Sequence, residues 1–156
     1  MKRVLLRCQV ACLLAVSMLY AQSVVAQEQS SKVKECSKAT LWGSFGYTST
    51  GTLLASYAPP PFAGPFAEVG RQTFDGKGNT DATATLSANG NIVKATIEGT
   101  YTVNPDCTGS MTLNVSPLDV TVHADFVIGA DGAELRAIVS DSGGVIESRV
   151  YTKQFP

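Results

Sequence analysis

The sequence predicts an all-β fold: a single antiparallel up-and-down β-barrel of about eight strands, with one disulfide. Three observations predict it. Apolar and polar residues alternate in segment after segment, short turns rich in Gly, Asn and Asp separate the segments, and no helical period appears beyond residue 26. Side chains on a strand point to opposite faces in turn, so alternation of this kind reads as strands with one dry and one wet face. Regular short strands with tight hairpins indicate a sandwich or a barrel, and hairpins between sequential neighbours favour the barrel.

The chain has 156 residues, enough for one domain. Residues 1–26 have the form of a secretory signal peptide. Lys2, Arg3 and Arg7 precede the mostly apolar run Val10–Tyr20, and Val24-Val25-Ala26 places small residues at the cleavage point. The run is shorter than the ~20 residues a membrane span needs, and no second run approaches that length. Removal of this segment takes away three of the 12 basic residues and none of the 13 acidic ones, which leaves a net charge of −4. That balance argues against nucleic acid and anionic membrane surfaces as partners. The expected mature protein is secreted or periplasmic, with no membrane span and no cofactor.

Residues 27–35 are polar and aperiodic and read as a flexible tail; residues 36–156 form the barrel domain. Cys8 and Cys12 fall in the signal segment, so Cys36 and Cys107 remain. A lone pair in an oxidising compartment forms a bridge, here closing a loop of about 72 residues. The chain-entropy model assigns such a loop roughly 4 kcal/mol. No C-x-x-C spacing exists and the single histidine is distant in sequence, so a redox or metal pair has little support.

The strands follow in order. Thr40–Thr48 places Leu41, Gly43, Phe45 and Tyr47 on one face, with Trp42 on the other. Ser49–Pro65, with Leu53, Leu54, Tyr57, Pro59-Pro60-Pro61 and Phe62, is expected to be a long loop because proline removes donors. Its apolar content suits either a plug for one barrel end or a binding lid. Phe66–Phe74 carries Phe66, Glu68, Gly70, Gln72 and Phe74 on one face and Ala67, Val69, Arg71 and Thr73 on the other. Asp75–Asn79 is a turn, Thr80–Ser87 a strand, and Asn89-Gly90 a strong hairpin signal. Ile92–Val103 has the cleanest alternation, with Val93, Ala95, Ile97, Gly99, Tyr101 and Val103 on its dry face. Asn104-Pro105-Asp106 then turns the chain. Ser110–Val115, Val120–Ile128, Glu134–Ser140 and Val145–Lys153 complete the set. Small residues on the dry faces (Gly43, Gly70, Ala82, Ala84, Ala95, Gly99, Ala124, Ala137) either let the strands bend or leave room for a guest. Eight strands enclose an interior just wide enough for side chains or one small ligand.

The runs F-A-E-V-G-R-Q-T-F-D-G-K-G-N (66–79) and G-T-Y-T-V-N-P-D-C-T-G-S (99–110), with a cysteine before L-W-G-S-F-G-Y (41–47), resemble a group of bacterial secreted small β-barrel proteins. These are similar in shape to allene oxide cyclases and, more distantly, to lipocalins. The resemblance spans about Cys36 to Lys153. It implies a barrel, one disulfide and a lumenal ligand, and no established activity. No catalytic residue of the cyclases maps onto this chain. Apolar residues are expected at Glu68 and Gln72 in such proteins, so either the lumen here is more polar or that strand faces the other way.

Glu68, Gln72, Tyr47 and Tyr101 are the candidate ligand-binding residues. Facing inward, they place a carboxylate, an amide and two phenols in a mostly apolar cavity, the usual make-up of a small-ligand site. Burial of Glu68 would disfavour its charged form and suit it to proton transfer. The alternative is that both tyrosines are core residues and Glu68 is exposed. His123 and Asp125 share a face opposite the apolar one and read as a solvated pair. Asp75, Asn79 and Asp81 echo a calcium loop, but Lys77 stands where an oxygen is needed, so a hairpin turn is the better account and no metal is expected. The expected function is the binding of a small apolar or amphipathic molecule in the lumen. The rivals are a cyclase- or isomerase-type enzyme that uses the barrel as a chamber, and a structural protein with a filled core.

Overall fold

A computed structural model describes residues 35–58 and 60–155. Residues 1–26, expected to be a signal peptide, and all of the expected tail but Glu35 lie outside the described residues. A 3-10 turn at Lys38–Thr40 leads into eight strands: β1 (Trp42–Leu53), β2 (Gly64–Asp75), β3 (Asn79–Ala88), β4 (Asn91–Val103), β5 (Thr108–Ser116), β6 (Val120–Gly129), β7 (Glu134–Val139) and β8 (Val145–Lys153). Each pairs antiparallel with its sequential neighbour, and β8 closes on β1 to complete the barrel. Among the described residues no helix is long and apolar enough to cross a membrane.

The alternation fixes which face is inside. Ala95, Ile97 and Tyr101 of β4 are buried while Lys94, Thr96 and Glu98 are exposed. On β2, Phe66, Glu68, Gln72 and Phe74 all turn inward, which settles the face left open by the sequence. One expectation is corrected. The Ser49–Pro65 segment is not all loop: β1 continues through Leu53, β2 begins at Gly64, and only ten residues, 54–63, connect them. Ser49 and Leu53 keep the inward phase of β1, and the segment gains partners on both sides, in β2 and β8.

The two ends of the barrel differ. One is sealed by the chain before β1. Cys36 and Cys107 are joined with their Cα atoms 4.9 Å apart, and Leu41 beneath them is fully buried. The Tyr101 hydroxyl donates to the carbonyl oxygens of Lys38 and Leu41 at 3.1 and 3.0 Å. Phe74 meets Phe45 and Tyr101 edge to face at 5.4 and 5.2 Å, a favoured aromatic geometry. The small inward residues are what admit these rings. A Cβ on Gly70 would lie 2.5 Å from the Tyr47 ring. The sealed half of the interior is therefore filled with side chains.

The other end carries the 54–63 loop. Tyr57, Ala58 and Phe62 pack against an apolar cluster of Leu53, Phe66, Leu86, Ala88 and Val145. The Leu54 N–H donates to the Gly144 carbonyl at 3.0 Å and the Ser56 hydroxyl to the Gly143 carbonyl at 2.7 Å. Asn89 donates through Nδ2 to the Pro61 carbonyl at 3.0 Å. The loop thus spans the mouth, tied to two neighbouring turns.

Asp75 organises the β2–β3 turn. Its Oδ1 accepts the backbone N–H groups of Lys77, Gly78 and Asn79 at 2.7, 2.9 and 2.9 Å, and its Oδ2 accepts Asn79 Nδ2 at 2.7 Å. The N–H and amide of Asn79, aided by Lys77 and Gly78, hold the carboxyl well below the usual carboxylate range. A depressed pKa contributes stability that is complete above about pH 4 and fades as pH falls toward the folded-state value. The loss of stability in Asp75→Ala is therefore expected to be largest near neutrality and to narrow below about pH 4. Urea midpoints of both proteins at several pH values check this; a gap independent of pH would contradict it.

Candidate functional site

Between the filled half and the loop-end cluster lies a layer of buried charge. Glu68 comes from β2, Tyr47 and Ser49 from β1, and Glu147 and Arg149 from β8. Register brings them together: Ser49 is opposite both Glu68 and Arg149, and Tyr47 is two residues before Ser49 on the same face. The Tyr47 hydroxyl donates to Glu68 Oε1 at 2.7 Å, and the Ser49 hydroxyl to Glu68 Oε2 at 3.1 Å. Arg149 Nη2 lies 3.5 Å from Glu68 Oε2, and its Nε donates to Glu147 Oε1. The guanidinium also sits over the Tyr47 ring, 5.3 Å from its centroid, where the ring's negative face attracts a cation.

These charges are well removed from water: the side chains of Arg149, Glu68 and Glu147 are 6%, 6% and 4% exposed. Burial opposes the charge on Arg149, but Tyr151, Glu147 and Glu68 outweigh it and raise its pKa well above the ordinary value. Burial, with the adjacent Glu68 carboxylate, pushes the Tyr47 phenol upward, so it remains a donor near neutrality. Buried polar groups are normally all paired. Here Arg149 Nη1 and the Tyr151 hydroxyl lack a well-formed hydrogen bond to any other group, and the guanidinium and phenol interact with each other.

A small cavity of about 50 Å³ sits on the loop side of this layer. Glu68, Glu147 and Arg149 line it, together with apolar walls that include Leu53, Phe66 and Val145. A second space of about 80 Å³ adjoins it under Tyr57, Ala58 and Phe62. Volumes of this size hold a few water molecules. A shallow depression of about 750 Å³ lies on the outer face, between Thr102, Asp125, Val127, Arg136 and Ile138. It is larger, but it contains no buried charge.

Of the four residues singled out in the sequence, Tyr47 and Glu68 form one hydrogen-bonded pair, and Glu68 alone lines the cavity. Glu68 is not an isolated carboxyl, because three neighbours direct donors at it. Gln72 lies deeper, donating to Thr80 Oγ1 at 2.9 Å with its own Oε1 unpartnered. Tyr101 belongs to the sealed end. Sequence reasoning missed Ser49, Glu147 and Arg149. The signal was present in V-I-E-S-R-V-Y, where Val145, Glu147, Arg149 and Tyr151 share one phase.

His123 and Asp125 are both exposed. The partner of His123 is Asp141, with Nδ1 2.8 Å from Oδ1 and the backbone N–H donating to Oδ2 at 2.6 Å. Among the described residues there is no group of three or more His, Cys, Asp or Glu side chains able to hold a metal ion.

Fold and site together define a small closed eight-stranded β-barrel with a charged layer across its lumen. The chain is similar to a solved redesigned β-barrel, with a TM-score of 0.51 and 15% identity over 76% of this chain and 95% of that one. A likeness at that identity speaks for the fold alone. No family model and no curated protein matches the chain.

Proposed function

We propose that the protein is a secreted or periplasmic barrel that binds a small apolar or amphipathic molecule at the loop end of its lumen. Residues 1–26 serve as the cleaved signal, 27–35 as a tail, and 36–156 as the binding domain, of the secreted allene oxide cyclase-like kind that the sequence motifs resemble. The observation that carries this reading is the cavity in which apolar walls meet the buried side chains of Glu68, Glu147 and Arg149. Apolar pockets with a few placed polar groups are the common form of small-ligand sites, but such sites usually measure ~300 Å³ or more. A guest therefore displaces Tyr57, Ala58 and Phe62, and the 54–63 loop acts as a lid. Glu68 and Tyr47 bind through the layer they build with Arg149. Gln72 and Tyr101 set the depth of the site. The cyclase alternative has less support, because the Glu68 oxygens already accept from Tyr47 and Ser49 and face Arg149.

Native mass spectrometry of protein purified from its own host, before and after denaturation, is expected to show a mass excess that disappears on unfolding. A bare mass in every preparation, together with no uptake of apolar probes, would instead identify a filled structural barrel.

A further inference from the structure

The barrel wall has a gap beside the lumenal space, and the gap indicates how a guest gets in, an inference that rests on the lumenal-binding reading above. We infer that the guest enters sideways, between β6 and β8 where β7 stops short, and that the 140–144 turn is the gate, latched by Asp141 onto His123.

Strand lengths create the gap. β7 has six residues, against ten in β6 and nine in β8. Its pairing with β6 ends at Val139 opposite Ala124, and its pairing with β8 at Ile138 opposite Ser148. Residues 120–123 of β6 and 145–147 of β8 therefore have no β7 strand between them. Strands two places apart in a sheet are separated by about 10 Å, so a missing middle strand leaves a space of that width between backbones. The residues flanking the gap line the cavity: Val120 and Val122 from β6, Val145 and Glu147 from β8. The turn S-D-S-G-G (140–144) stands there in place of a strand.

The turn is held from two sides. Toward β6, Asp141 Oδ2 accepts the His123 backbone N–H at 2.6 Å, and its Oδ1 lies 2.8 Å from His123 Nδ1. The Ser140 N–H donates to the His123 carbonyl at 2.9 Å. One carboxylate thus replaces the next step of the strand ladder. Burial opposes its charge, but the N–H and ring of His123 outweigh that and hold the carboxyl below its ordinary range. Toward the loop, Leu54 and Ser56 donate to the Gly144 and Gly143 carbonyls. A Cβ on Gly144 would lie 2.9 Å from the Tyr57 ring. Tyr57 lines both lumenal spaces, so displacing the turn frees the side chain that covers them. The opposite edge of the loop is anchored elsewhere, with Asn89 and Asn91 donating to the Pro61 carbonyl at 3.0 and 3.3 Å. There β3 and β4 pair to their last residues, Ala88 opposite Asn91, and the wall has no gap. The His123 and Asp141 side chains are 54% and 35% exposed, and ion pairs so open to water are weak. The latch can therefore release while the buried charged layer stays intact.

Exchange of fluorohexane, followed by fluorine NMR on the disulfide-bonded protein at pH 7, tests the gate. In Asp141→Ala, entry and exit rates are both expected to rise about fivefold at unchanged Kd, the effect of a charged hydrogen bond discounted for exposure. His123→Ala, which keeps the backbone N–H, should give a smaller rise. Asn89→Gly/Asn91→Ala frees the opposite edge of the loop while glycine keeps the positive φ at position 89, and both rates should stay as they are. Unchanged rates in Asp141→Ala, or a rise as large in Asn89→Gly/Asn91→Ala, would overturn the gate and leave lumenal binding standing. So would a weakened Kd with a lowered unfolding midpoint in Asp141→Ala, the mark of a merely structural contact. No binding of fluorohexane to any of these proteins would overturn the lumenal reading and this inference with it.

Discussion

Replacing Arg149 with methionine is expected to destabilise the barrel by about 3–5 kcal/mol, the range for breaking a buried ion pair by removing one partner. Glu68 and Glu147 would remain inside, 6% and 4% exposed, without the cation that faces both. The triple change Glu68→Gln/Glu147→Gln/Arg149→Met is expected to behave quite differently. Removing a buried charge cluster whole, at similar volume, is often neutral or stabilising by about 1–4 kcal/mol. The amide introduced at position 68 would accept one of the Tyr47 and Ser49 hydroxyls through its oxygen and donate to the other through its NH2. Urea unfolding of the two variants beside the parent protein measures the contrast. A single Arg149→Met variant that costs less than about 1 kcal/mol would mean that the layer is hydrated and not a sealed ion cluster.

Loss of the Cys36–Cys107 bridge is expected to cost roughly 4 kcal/mol, from the entropy regained by an unfolded chain no longer closed over a sequence separation of 71. The damage should begin at the sealed end. The bridge holds the Lys38–Thr40 turn and Leu41 over the barrel, where the Tyr101 hydroxyl reaches their carbonyl oxygens. Thermal unfolding of Cys36→Ala/Cys107→Ala, and of the parent protein with and without reductant, gives the measurement. An unchanged midpoint after verified reduction would show that backbone and aromatic contacts alone hold that end.

The strand order and most turns were legible because local chemistry and tertiary demand agree there. Asn89 and Gly90 both adopt positive φ, 47° and 84°, as a two-residue hairpin requires, and β4 alternates without a break. Legibility failed where the barrel overrides composition. In Ser49–Leu53 the inward positions are Ser49, Gly51 and Leu53. Ser49 is inside because Glu68 accepts its hydroxyl, and a Cβ on Gly51 would lie 2.8 Å from the Phe66 ring. Neither reason is visible without the neighbouring strand. Strand β8 hid the site for a related cause. Ile146 and Val150 face water at 63% and 47% exposure while Glu147 and Arg149 face inward, so hydrophobicity alone points the wrong way. The direction of β2 was recoverable from Phe66 and Phe74, which share a phase with Glu68 and Gln72. Two aromatic rings at the ends of a strand outweigh two polar groups at its centre when those polar groups find partners on adjoining strands, as Glu68 does with Tyr47 and Ser49 and Gln72 with Thr80.

The pairing of β8 with β1 has a consequence for how this protein meets other chains. Open sheets present a row of free N–H and C=O groups, and many recognition domains capture an extended peptide by adding it there as one more strand. Here, among the described residues, every strand has two strand neighbours, and only short ends, such as 91–95 of β4 and 145–147 of β8, run past their pairing on one side. β-augmentation, edge-to-edge polymerisation and donor-strand exchange therefore have no full-length edge to dock on while the ring stays closed. Recognition by this barrel is expected to rest mainly on side chains and loops.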